Sequence, residues 1–266
     1  MELTMLGTGS ALVTECYNTC FVLQDGEKHL LVDGGGGNTL LRQLKQAGFA
    51  WQDMREIFVT HKHVDHLMGI VWMIRMICQH MKQGQYEGEA WIYGHDEVIG
   101  LLGEMAEQLY PKKLTDFIGK RLHLVVVNDG EERTLMGHKV TFFDIQSTKA
   151  KQYGFCMDMG NGEKLTCCGD EPYNECEKKY AENSKWLLHE AFCLYDQADE
   201  FHPYEKHHST AKDASELAEL LGVKNLILYH TEDKNIACRK QLYTEEGRKY
   251  FHGNLYVPED LEKIEL

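Results

Sequence analysis

Proline is scarce in this chain, at four of 266 residues, and no proline- or serine-rich stretch, tandem repeat or low-complexity run interrupts it. That excludes a string of modules on long linkers, and 43% hydrophobic residues is the composition of an ordinary folded domain. Positive charge is also short. The 28 Lys and Arg against 42 Asp and Glu leave a net charge of −14, which argues against sequence-blind adhesion to nucleic acid or an anionic membrane. A local basic patch remains compatible with that total. The nine cysteines contain no CxxC pair, and the opening "MELTMLGTGS" has no charged region ahead of an apolar one. The longest apolar run, within 67–78, is broken by Arg75 and is too short to span a bilayer. A cytoplasmic protein with free thiols and no membrane partner is the expectation.

Short β-type segments recur instead, among them "MELTML", "CFVLQD", "KHLLVDGG", "EIFVT", "EAWIYG", "LHLVVVN", "KVTFFDI", "YGFCMDM", "KLTCCGD", "KWLLHEA" and "NLILYHT". Helical patterns occupy 38–47, 65–82, 96–108 and 212–221. Thr210 and Asp213 form a capping box before the last, and Gly222 stops it. Strands alternating with helices predict an α/β protein with parallel or mixed sheets and helices packed outside. Four strand-like segments end in a chemically loaded residue: Asp33, His61, Asp170 and His230. In α/β folds ligands gather beyond the carboxyl ends of strands, so these four segments are able to deliver side chains to one rim.

The densest chemistry is in "THKHVDHLMG", where His61, His63, Asp65 and His66 fall within six positions. His61 and His63 are two apart and point to one side of an extended segment, while Asp65 and His66 sit where the chain turns into a helix. That offers two ligand pairs. A bridging carboxylate from elsewhere would let them hold two cations, the geometry used for two-metal hydrolysis. Taken singly, other positions have plainer readings: Asp33 and Asp170 as turn residues, His230 as a core histidine, His208 as part of a solvated loop.

These segments together resemble a known family. "THKHVDHLMG" is similar to the HxHxDH motif of the metallo-β-lactamase superfamily. "LGTGSALVTECYNTCFVL", "LLVDGGGG", "CCGDEP", "LLHEAF", "HHST" and "LILYHTED" resemble, in order, the remaining motifs of its ribonuclease Z branch, from residue 3 to about residue 235. The resemblance implies one domain over 1–266 built as a four-layer αββα sandwich, two mixed sheets face to face with helices outside. Its two similar halves would span roughly 1–120 and 121–266. It further implies His61 and His63 on a first metal ion, Asp65, His66 and His230 on a second, and Asp170 bridging both. Asp33 would accept hydrogen bonds that orient the ligand loop. Two divalent ions follow, zinc first among them. The reaction implied is phosphodiester hydrolysis, either at the 3′ end of tRNA or in a smaller substrate. Asp65 would orient or deprotonate the attacking water. His208, hydrogen-bonded by Glu190, would stabilise the phosphate or protonate the leaving oxygen.

The chain also departs from the branch. No histidine occupies the strand "KVTFFDIQSTKAKQYGF" where a third imidazole for the first metal is expected; Gln146 is the nearest occupant, and its neutral oxygen suits manganese or another hard ion better than zinc. Between Gln146 and Asp170 there is room for two strands and a turn, with no tRNA-gripping arm, and Tyr17 stands where an arginine is common. The alternatives are a thioester, lactone or amide hydrolase of the same fold, and a binding or sensing protein with a weakened site. The helix at 65–82 carries apolar residues beyond one stripe: Ile70, Val71, Ile74 and Ile77, and also Trp72, Met73 and Met76. Such a helix is expected to be buried on both sides, under its own chain or in a homodimer, as the resemblance suggests.

Overall fold

The computed structural model describes residues 1–266. In chain order the strands are β1 (Glu2–Gly7), β2 (Cys20–Asp25), β3 (Lys28–Val32), β4 (Glu56–Phe58), β5 (Ala90–Gly94), β6 (Leu122–Val126) and β7 (Glu132–Leu135). They continue with β8 (His138–Asp144), β9 (Tyr153–Gly160), β10 (Glu163–Cys167), β11 (Trp186–Glu190), β12 (Asn225–Tyr229), β13 (Asn254–Tyr256) and β14 (Lys263–Glu265). The helices are α1 (Thr39–Gln46), α2 (Val64–Lys82), α3 (Asp96–Leu109), α4 (Lys112–Thr115), α5 (Lys178–Ala181), α6 (Ala198–Phe201), α7 (Ala211–Leu220) and α8 (Arg239–Gly247).

Two seven-stranded sheets result, in the orders β14-β1-β2-β3-β4-β5-β6 and β13-β12-β11-β10-β9-β8-β7. Each is mixed in the same way. β1, β2 and β3 run antiparallel and β3 to β6 parallel; β7 to β10 run antiparallel and β10 to β13 parallel. This is the expected αββα sandwich. The boundary near residue 120 does not coincide with the sheets, because β6 and the last strand, β14, both join the first one.

Strand alternation explains the layers. In β3, Leu30 and Val32 enter the core between the sheets, while Leu31 faces the helices. Phe21 and Phe58 meet Phe142 and Phe155 in that central core, and α7 and α8 cover the outer face of the second sheet through Ala214, Ala218 and Tyr243. A strand buried on both faces has no polar side to show, which is why these segments read as apolar runs. The box at Thr210 forms, its hydroxyl accepting from the Asp213 N–H while the Asp213 carboxylate accepts from the Thr210 N–H.

Intramolecular packing accounts for α2. Ile70, Val71, Met73, Ile74 and Ile77 are all buried, with α1, α3 and α4 as neighbours, and Trp72 alone of the named residues is clearly open, at 39%. The apolar excess of this helix therefore does not itself require a second copy of the chain. No helix is long and apolar enough to cross a membrane.

Glycine permits the approach that matters most for the site. The Gly34 N–H donates to the His66 carbonyl (2.7 Å) and the Gly69 N–H to the Gly35 carbonyl (3.0 Å), drawing the start of α2 onto the loop after β3. A Cβ on Gly69 would lie 1.8 Å from the Gly34 carbonyl oxygen, a backbone atom. Gly69→Ala should therefore lower stability by about 1–3 kcal/mol, read as a lower urea midpoint at unchanged slope. Gly100→Ala, in α3 with open space around it, should be neutral or raise the midpoint. Equal midpoints for the two variants would refute the close-packing account.

Candidate metal centre

The residues expected to carry chemistry lie at strand ends of both sheets. Asp33 follows β3; His61 and His63 follow β4; Asp65 and His66 form the first turn of α2; Asp170 follows β10, and His230 follows β12. All are buried except His63, which is half-buried. Two groups emerge whose ligand atoms lie within 4.8 Å of one another: His61, His63 and Asp170, and Asp65, His66 and His230. Asp170 joins them, its Oδ2 standing 3.5 Å from His61 Nε2 and 3.4 Å from both His66 Nε2 and His230 Nε2.

Each buried imidazole is oriented from behind by a fixed acceptor. The His66 Nδ1–H donates to Asp33 Oδ2 at 2.8 Å. His61 Nδ1 bonds the Thr60 hydroxyl at 2.9 Å, and that hydroxyl donates to Asp33 Oδ2 at 2.8 Å. His230 Nδ1 bonds the Thr19 hydroxyl at 3.2 Å, which itself donates to the Gly9 carbonyl. In all three rings Nδ1 is thereby held as the donor and Nε2 is turned to Asp170, so that each ring, once neutral, offers its Nε2 lone pair to a cation. Thr60 and Thr19 were not apparent as site residues from the sequence, since their role depends on which ring they back.

Asp33 thus does what its motif suggested. It accepts from the Thr60 N–H (2.8 Å) and hydroxyl and from His66, tying β3, β4 and α2 together. Tyr17 has a different task from an arginine: its hydroxyl bonds the Gly34 and Gly37 carbonyls at 2.8 and 2.9 Å and so braces the glycine loop. Gln146 is not part of the cluster. It is exposed in a left-handed turn (φ 57°), with its N–H donating to Asp144 Oδ1, so the expectation that it supplies a neutral oxygen to the first ion is corrected. Glu190 stands beside His208, with Oε2 3.6 Å from Nδ1, a charge contact rather than the expected hydrogen bond; the other carboxylate oxygen accepts from the Ser209 N–H.

The donor set suits divalent cations. Three carboxylates, Asp33, Asp65 and Asp170, converge on a buried cluster, and Asp170 Oδ1 and His66 Nε2 are enclosed without a hydrogen-bond partner. Buried carboxylates need compensating positive charge, and oriented Nε2 lone pairs and carboxylate oxygens supply the ligands for it. Without ions the histidines divide. Burial pushes His61 well below its usual range and His230 down to about 3. Burial acts the same way on His66, but Asp65 and Asp33 outweigh it and hold that ring protonated well above the usual range. Burial favours the neutral carboxyl at Asp170, yet His61, His66 and His230 outweigh it and keep the group ionised.

The two sheets with helices outside are the metallo-β-lactamase fold, which the histidine motif suggested. The chain belongs to the family described as Anti-Pycsar protein Apyc1, whose model matches residues 1–249. It is similar to ribonuclease Z of Archaeoglobus fulgidus, at 24% identity over 100% of this chain and 97% of that protein. Its fold is similar to that of the metallo-β-lactamase fold protein YhfI from Bacillus subtilis (TM-score 0.80, 19% identity, 99% and 98% of the two chains). It is also similar to that of the short form of human tRNase Z (TM-score 0.74, 20% identity, 100% and 99%). The ribonuclease Z resemblance thus holds over the whole chain.

The histidines set a pH dependence for the ion-free protein. His61 and His230 bind fewer protons folded than unfolded, so the stability they contribute is present above 6.5 and lost as pH falls below it. His66 acts oppositely, contributing fully below 6.5 and losing that contribution as pH rises through its elevated folded value. Among these three rings only the losses remain from pH 6.5 down to 5, and the two of them outweigh the opposing gain from Glu177, whose carboxyl burial raises to about 8. Chelator-treated protein should therefore melt at progressively lower temperature across that window, and divalent ions should raise Tm more at pH 7 than at pH 5. A flat Tm from 6.5 to 5 would contradict the neutral burial of His61 and His230.

Proposed function

We propose that this protein is a two-ion, metal-dependent phosphodiesterase acting on a small phosphodiester, with the ions held by the two groups that share Asp170. The observation that carries the reading is the convergence of His61, His63, Asp65, His66 and His230 around one carboxylate, with His208 and Glu190 at its edge. The His208 and His230 ring centres are 5.4 Å apart. Bound divalent ions would supply Lewis acidity and a water of lowered pKa. Zinc suits the imidazole-rich donors, with manganese as the harder alternative.

The chain's own residues divide the work. Asp65, 3.4 Å from His66 Nε2 through Oδ2, orients the attacking water and accepts its proton as oxygen adds to phosphorus. The ester P–O bond breaks on the opposite side, and His208 protonates the leaving oxygen. Glu190 stands beside Nδ1 and fixes the ring's orientation, and Phe192 stacks on it at 4.9 Å between centres. The enclosed Oε2 of Glu190 and Nδ1 of His208 each lack another partner, which makes them a natural pair.

A small substrate is favoured over tRNA by three features. Between β8 and Asp170 the chain forms only the β9–β10 hairpin, which leaves no arm. The net charge of −14 offers little to a polyanion. A groove of about 380 Å³ reaches His208, walled by Leu12, Val13, Phe192 and Phe201 with Lys206 beside them, a size and lining for one flat or apolar substituent.

The zinc- and manganese-loaded protein should hydrolyse bis(p-nitrophenyl) phosphate and leave a precursor tRNA uncut. Turnover of thioester or lactone substrates with no phosphodiester cleavage would refute the assignment. His208→Ala, Glu190→Ala and the double variant should lose similar activity, on the order of 10²–10⁴-fold, because groups acting as a unit are not additive. Losses that multiply in the double variant would separate the two residues.

A further inference from the structure

The two ion positions are unequally furnished. Asp65, His66 and His230 have Asp170 Oδ2 as a fourth neighbour, 3.4 Å from both imidazoles. His61, His63 and Asp170 amount to three donors, and Gln146 is turned outward. A different glutamine lies beside the gap. An isolated antiparallel bridge pairs His61 with Gln152, and the adjoining Tyr153 N–H donates to the Thr60 carbonyl at 3.0 Å. Residues paired across strands send their side chains to the same face, so Gln152 shares the face of His61.

Two further observations concern that side chain. Gln152 is 1% exposed, and its amide nitrogen has no hydrogen-bond partner. The amide also passes directly over Gly169, the residue before Asp170. Gly169 has φ +82°, and a Cβ there would stand 2.4 Å from Gln152 Nε2. The chain therefore omits a side chain where this amide reaches toward the Asp170 turn. A buried, unpaired amide is costly, and this one sits between residues from two ligand segments. Nitrogen and oxygen of the amide exchange by a flip of the end group, so either is available to the site.

We propose that Gln152 is the fourth protein donor of the first ion, its amide oxygen completing the set of His61, His63 and Asp170. The proposal rests on the two-ion reading above. A neutral oxygen in place of a third imidazole makes this position harder in character, so it discriminates less in favour of zinc and takes manganese more readily than the His66 and His230 position does. The competing role for the same amide is donation of its N–H to Asp170 Oδ1, which is also enclosed and unpaired.

Ion binding itself provides the test. Chelator-stripped natural protein, Gln152→Leu and Gln152→Glu are titrated with Zn²⁺ and with Mn²⁺ by calorimetry, with elemental analysis of the bound ions and circular dichroism for folding. The natural protein should take two ions. Gln152→Leu should weaken one site by about 10–100-fold and leave the other unchanged. Gln152→Glu, which keeps the oxygen and adds charge, should hold two ions with the first site tighter. Unchanged affinities in Gln152→Leu would overturn the proposal. So would an unchanged or weaker first site in Gln152→Glu, the weaker result being that of an N–H donor replaced beside a carboxylate. If Gln152→Leu does not fold, Gln152→Glu alone decides by the same criterion. Fewer than two ions on the natural protein would remove the two-ion reading and this inference with it, whereas two ions indifferent to position 152 would remove the inference only.

Discussion

One carboxylate oxygen organises this molecule. Oδ2 of Asp170 is met within 3.5 Å by three imidazole nitrogens that come from two elements of the first sheet's side and one of the second. Assembling that cluster in the interior is unfavourable unless the rings are held in one tautomer and the carboxylates find positive charge. Asp33, Thr60 and Thr19 meet the first condition by occupying every Nδ1, and cations at Nε2 would meet the second. The polarity of the centre is thus a property of its backing residues as much as of the ligands.

Bringing Asp170 to His66 requires the two sheets to face each other with their strand ends in register, and several otherwise odd features serve that end. Gly34 and Gly69 let α2 approach the loop after β3 closer than any side chain would allow. On the other side, the buried guanidinium of Arg239 donates to the Thr231 hydroxyl at 2.8 Å and the Pro258 carbonyl at 3.1 Å, bracing the turn that carries His230. Asp260 accepts from Thr8 and from the Tyr17 N–H, and β14 then pairs with β1. The 254–266 segment thereby packs over the turn after β1, whose Thr8 carbonyl accepts from the Thr231 N–H beside His230 at 3.0 Å. Deleting any of these contacts would act on the centre indirectly, through the position of a loop.

Most of the strands that could be read from sequence were covered on both faces, because burial in two apolar layers writes an uninterrupted hydrophobic signal, and the edge strand β6 was legible through its β-branched and leucine run. β7, β13 and β14 were not legible. They are edge strands of three or four residues, "ERTL", "NLY" and "KIE", with mostly exposed or half-exposed side chains, and only pairing with a neighbour makes them strands. The apolar surplus of α2 was legible, but what covers it was not; α1, α3 and α4 do so, and hydrophobicity carries no address. Gln146 is the nearest occupant of the expected position by sequence because it ends a strand-like run. The chain instead turns outward at a positive φ there, and the bridge to His61 forms six residues later.

Local spacing therefore determined whatever depends on neighbours in the chain. His61 and His63 share a face because an extended backbone repeats every two residues, Asp65 and His66 follow because a helix begins there, and Thr210 caps α7 through Asp213 three residues on. Only the tertiary structure decided which of several strand-end residues meet. Asp170 and His230 lie more than a hundred residues from the motif they complete, and two sheets must fold and face each other before their side chains share a volume. Periodicity records the direction a side chain takes from its own backbone; the distance between two such side chains is set by packing, which no single segment contains.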